Sequence, residues 1–167
     1  EIEQFSSLEA QCHAVPSLGY DRDSVADSEA LFEELRHVLR RHGYLPGETV
    51  IHAHNHSVGK NASLPGALRE LAAEGHALLL QLHDFAEDFR PANYGHLRSA
   101  LKTDDLSDDL YFQSPAVHYA TLNRRDFEVL QTAGVSSERL HFLPNPVPQL
   151  GGLPSRHEAR TRLADRF

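Results

Sequence analysis

Methionine and tryptophan are missing from these 167 residues, and cysteine occurs once, as Cys12. A single cysteine excludes an internal disulfide and makes a reducing, cytoplasmic setting the expectation. Methionine is missing even at position 1, so the sequence is expected to be a fragment, or to have lost residues, rather than a complete gene product. No apolar run approaches the ~18 residues of a membrane span. The opening Glu1-Ile2-Glu3 also lacks the basic-then-apolar pattern of a signal peptide. Cations are outnumbered: 16 Lys and Arg face 24 Asp and Glu, a formal charge of −8, and no block of Lys or Arg stands out. Neither a nucleic acid nor an anionic membrane is therefore expected as the main partner.

What is present is ordinary in bulk and patterned in detail. Apolar residues make up 40% and charged residues 24% of the chain, as in a globular protein. The length suits one domain with a real core and is too short for two full α/β domains. Residues 1–26 give no convincing strand. From Asp27 the pattern is clear: Asp27 or Ser28 can cap a helix whose Leu31, Phe32, Leu35, Val38 and Leu39 fall at helical spacing, with Gly43 as its stop. A strand over about 49–54 follows, then a helix from near Ser63 to Gly75 with Pro65 in its first turn. Ala77–His83 is almost continuously apolar, which fits a strand covered on both faces, the habit of parallel sheets. Strand, helix and strand together make a βαβ unit. Ala92–Leu101 can be helical, and Lys102–Asp109 is acidic and expected to be exposed. Val117–Leu122 reads as a third strand, followed by a helix that Asn123 caps and Gly134 closes. Arg139–Leu143 is a fourth short strand running into Pro144-Asn145-Pro146-Val147-Pro148 and Gly151-Gly152, which has linker chemistry. Ser155 and Glu158 form a capping box that opens a last helix through Phe167. The alternation predicts a Rossmann-like, doubly wound parallel α/β sheet over residues 1–148, with 149–167 as linker and first helix of a second domain.

The candidate chemistry gathers where strands end. In Thr49–Asn61, His52, His54 and His56 recur every second residue, so a continued strand would aim all three at one face. Ligands of open α/β sheets bind at the carboxyl ends of strands. The cluster has three physically sound uses: metal ligation with His83-Asp84, hydrogen bonding of a polyol such as a sugar together with Asn55, or bonding to neighbouring loops. His83 ends an apolar strand from which an imidazole can reach a ligand, and Asp84 can orient it or accept hydroxyl hydrogen bonds. Glu87 and Asp88 fit better as a helix start. Gly59-Lys60-Asn61 precedes a helix and could bind an anion there, but it is not a Walker A loop. Asn123 and Asn145 each follow a strand, where asparagine is a good cap and turn former.

Taken together, these pieces resemble the N-terminal domain of GT-B glycosyltransferases of the family-4 type. Val50-Ile51-His52-Ala53-His54-Asn55 looks like that family's strand ending in His-x-His and a polar residue. Leu79–Phe85 is similar to its apolar strand ending in His-Asp, and Tyr119–Asp126 to its strand, Asn and helix. Gly134-Val135 and Arg139–Val147 are similar to the passage before its interdomain linker. Pro146 stands where the family usually has glycine, and its glycine-rich first loop is not visible before Asp27. The resemblance implies transfer of a sugar from an activated donor, usually a nucleoside-diphosphate sugar as co-substrate, with no bound metal and no other cofactor. It implies an acceptor bound mostly by this domain and a cleft shared with the chain's own C-terminal domain. By position, His83 and Asp84 become the catalytic pair. His54 and Asn55 form the acceptor side, and His56, Lys60, Asn61 and Asn123 are counted with them as substrate contacts. On this reading the 167 residues alone do not turn over, and a chain extended past Phe167 does. Two other readings stay open: a metal-dependent hydrolase using His52, His54, His83 and Asp84, and a non-catalytic sugar-binding domain.

Overall fold

Asp27 opens the first long helix by accepting a hydrogen bond from the Ala30 amide at 2.9 Å. The helix α1 (Ser28–Arg41) follows, with Arg40 and Arg41 at its negative end and Gly43 beyond it at φ 75°. The computed structural model describes residues 12–21, 26–146 and 154–165. After α1 come β1 (Val50–His54), α2 (Leu64–Ala73), β2 (Ala77–Leu82), α3 (Pro91–Leu101), α4 (Ser107–Leu110), β3 (Val117–Thr121), α5 (Arg124–Thr132), β4 (Leu140–Phe142) and α6 (Arg156–Ala164). Asn123 caps α5 by accepting from the Asp126 amide at 2.9 Å, and the Ser155–Glu158 capping box opens α6. The division near residue 148 falls in 147–153, outside the described residues. No helix among the described residues is long and apolar enough to cross a membrane.

The strands form one parallel sheet in the order β1-β2-β3-β4, the Rossmann-like α/β arrangement read from the sequence. The strand order steps the same way each time, and crossovers of the usual right hand then lay their helices on one face. Leu31, Leu68, Leu71 and Leu130 accordingly pack with Leu78, Leu80, Leu82 and Tyr119 in a single core. The change of winding direction that defines a doubly wound sheet is not found among the described strands.

Two expectations are corrected. The strand β2 is fully covered on one face and only in part on the other: Leu78, Leu80 and Leu82 are buried, while on the opposite side Ala77 and Leu79 are half-buried and Gln81 is closed off. The acidic stretch after Lys102 is not simply exposed. Leu106 and Leu110, four residues apart, are buried with Ala62, Ala86 and Leu97 in a second core beside the first. The carboxylates face outward around a helical turn whose leucines face inward, the i, i+4 spacing of one helix face.

Candidate functional site

Where β1 and β2 end, the open face of the sheet turns polar. On β1, His52 and His54 are exposed, since side chains alternate along a strand and the partner positions Ile51 and Ala53 turn toward the helices. The parallel register places His54 beside Gln81 and His52 beside Leu79. The Nε2 of Gln81 donates to the carbonyl of Leu143 at 3.1 Å, which fixes how its amide lies. Its Oε1 then faces His52 Nε2 at 2.9 Å, so that imidazole carries its proton on Nε2. His54 Nδ1 lies 3.1 Å from His83 Nε2, one donating and the other accepting. The His52 and His54 rings are 4.2 Å apart between centroids. Loss of water holds the His54 imidazole below its ordinary pKa, and the charges of His52 and His83 act in the same direction. His54 is therefore neutral at neutral pH, with a ring nitrogen able to accept a proton or a hydroxyl hydrogen bond.

Asn55 joins the two strand ends. Its Oδ1 accepts from the amides of His83 at 2.7 Å and Asp84 at 3.2 Å. The structure thus brings His52, His54, Asn55 and His83 together at the ends of β1 and β2. Asp84 stands next in the chain, but its carboxylate pairs with Arg90 at 2.9 Å rather than with His83. The remaining candidates lie in other surroundings. The strand ends at His54 and Asn55 takes a left-handed φ of 54°, so the alternation stops and His56 turns away from the open face. His56 is 1% exposed, with Nε2 bonded to the Leu110 carbonyl at 2.8 Å, and burial lowers its pKa to about 4.

Lys60 and Asn61 belong to a latch between the β1–α2 loop and residues 17–21. The Lys60 ammonium donates to the Tyr20 hydroxyl at 3.1 Å and lies over its ring. Both Asn61 Nδ2 hydrogens go to chain carbonyls, those of Ser17 and Gly19, each at 2.8 Å. Its Oδ1 accepts from the amides of Ser63 and Leu64, and Asp21 accepts from the Ala62 amide at 2.9 Å. The place at this helix start that an anion would take is thus filled by the chain's own oxygens. Asn123 has both ends of its amide on Asp126.

Sequence reasoning missed four features. Gln81 orients His52, and its signal was a polar residue inside an apolar run. Arg90 claims Asp84. His118 and His141, on the same open face, approach to 2.8 Å between Nδ1 and Nε2 although they are far apart in the chain. A cavity of about 310 Å³ lies between the β2–α3 loop, α4 and α5, lined by Phe85, Tyr111, Val129 and Leu130 and edged by the Asp88–Arg125 ion pair. Nothing in the spacing of the sequence marks the last two. Among the described residues no group of three or more His, Cys, Asp or Glu side chains is arranged to hold a metal ion.

No protein-family model matches the chain, and no solved structure matches it. Among curated proteins it is similar to the mannosylglucosyl-3-phosphoglycerate synthase of Petrotoga mobilis, with 30% identity over 135 residues. That stretch is 79% of this chain and 26% of the relative, so the likeness covers most of the chain and about a quarter of the protein it matches.

Proposed function

We propose that this chain is the acceptor-side, Rossmann-like part of a GT-B glycosyltransferase, which transfers a sugar from a nucleoside-diphosphate donor to a polar acceptor. The observation that carries the reading is the 30% identity, over 79% of the chain, to a protein named as a mannosylglucosyl-3-phosphoglycerate synthase. The geometry agrees with it in kind. Imidazoles and an asparagine at the carboxyl edge of a parallel sheet offer donors and acceptors for hydroxyl groups. In this reading His83 and His54 meet the sugar at the cleft, with Asn55 beside them. Asp84 acts through its neighbours, since its carboxylate is already engaged by Arg90. The diphosphate clamp that charge stabilisation at a leaving group needs would come from the second domain. A single cysteine is in keeping with a cytoplasmic setting and a soluble donor.

The test is a transfer assay on the protein carried past Phe167. Nucleoside-diphosphate mannose and glucosyl-3-phosphoglycerate are the first pair, followed by other donors and acceptors. Sugar transfer that is lost in His83→Ala, with the 167 residues alone inactive, supports the proposal. Hydrolysis that depends on added Zn²⁺ or Fe²⁺, with no transfer from any donor, favours the hydrolase. Saturable glycan binding without turnover favours a binding domain.

A further inference from the structure

We propose that Asn55 is the positioning residue that aims His83. It rests on the sugar-transfer reading for its purpose, but its geometry stands alone. The ladder of β2 ends at Leu82, so the amides of His83 and Asp84 lie beyond it. A straight β1 would continue to offer them backbone carbonyls. Instead β1 stops at His54 and the chain turns inward to bury His56, Ser57 and Val58. The side chain of Asn55 stands in for the missing ladder: one oxygen with two lone pairs takes both amides, at 2.7 and 3.2 Å. The Asn55 amide in turn donates to the Gln81 carbonyl at 2.9 Å, so the clasp closes on both sides.

The residue type follows from two demands at one position. The turn needs a left-handed backbone, φ 54°, which asparagine tolerates better than most residues and glycine better still. The clasp needs a short side-chain acceptor, which glycine lacks. Asparagine meets both. What the clasp holds is the backbone from which the His83 imidazole reaches His54 Nδ1 at 3.1 Å. The Nδ2 of Asn55 makes no hydrogen bond among the described residues and remains for a ligand. One side chain thus sets the imidazole and presents a donor next to it.

Two variants separate the parts. Asn55→Gly keeps the turn and removes the oxygen, whereas Asn55→Asp keeps the oxygen and removes the donor. Amide hydrogen exchange and the NMR titrations of His54 and His83 are read in the 167-residue chain, with glucosyl-3-phosphoglycerate as the binding probe. In Asn55→Gly, exchange at His83 and Asp84 should rise about tenfold or more, while Leu80 in the core stays protected. The His54 and His83 titrations should move with it, and probe affinity should fall about tenfold. Asn55→Asp should keep slow exchange at both amides. Unchanged exchange in Asn55→Gly would overturn the clasp, as would fast exchange in Asn55→Asp. Faster exchange in Asn55→Gly with unmoved histidine titrations would reduce Asn55 to a backbone brace. If no form binds the probe, the sugar reading fails while exchange and titration still decide the role of Asn55.

Discussion

The two faces of this sheet are made from alternate residues of the same strands, yet they have opposite characters. On β2, Leu78, Leu80 and Leu82 face helices and are almost without exposure, while Leu79 and Gln81 face the side that carries His52, His54, His118 and His141. One face is held by removing aliphatic surface from water. The other carries paired imidazoles whose partners are fixed by register. The comparison teaches that a period of two lets one short strand serve the core and the site at once, and that a mutation's cost depends on parity more than on distance along the chain.

The largest effect should come from breaking the covered face. Leu80→Ala, at a fully buried position, should lower the unfolding free energy by about 2–5 kcal/mol in denaturant titrations. Leu79→Ala, one residue earlier on the open face, should cost clearly less. Equal losses would mean that the open face is also buried in solution.

A second effect comes from the histidine on the inside. His56 has its pKa lowered to about 4 from an ordinary 6.5, so the unfolded chain binds its proton more readily than the folded one. Its stabilisation is full above pH 6.5 and is lost as pH falls toward 4. The loss amounts to roughly 3 kcal/mol at most. His56→Gln keeps a donor for the Leu110 carbonyl and cannot titrate, so stability should depend less on pH across that window. An unchanged slope would place the titration elsewhere.

Smaller still is the cap on the covered side: Asn123→Ala should cost about 1 kcal/mol, read as a shift of the denaturation midpoint. The smallest change in stability belongs to the open face. His54→Ala should stay within about 0.5 kcal/mol of the native chain, as exposed substitutions do, yet it should abolish binding of the sugar probe. In the native chain the His54 imidazole should titrate below 6.5, because its surroundings disfavour the charged ring.

The fold was largely legible because its signals are local. Asp27, Asn123 and Ser155 are caps, Gly43 and Gly134 are left-handed stops, and both can be read a few residues at a time. The partly covered face of β2 was not legible, since an apolar run does not say which way the next crossover steps. Leu106 and Leu110 were hidden behind their acidic neighbours for a similar reason: composition was visible and direction was not. In the candidate site, the meeting of His54 with His83 followed from two strands ending side by side. The turn that sends His56 inward depends on one backbone angle at Asn55, which no periodicity predicts. The Arg90–Asp84 pair and the contact between His118 and His141 link residues through the fold alone.

The most direct measurement is chemical-shift mapping of the 167-residue chain titrated with glucosyl-3-phosphoglycerate. Saturable shifts centred on His52, His54, Asn55 and His83, and absent in His54→Ala, are the predicted result. Shifts confined to the cavity beside Tyr111 and Leu130, or no saturable shifts with this or any other sugar acceptor, would contradict the placing of a sugar site on the open face.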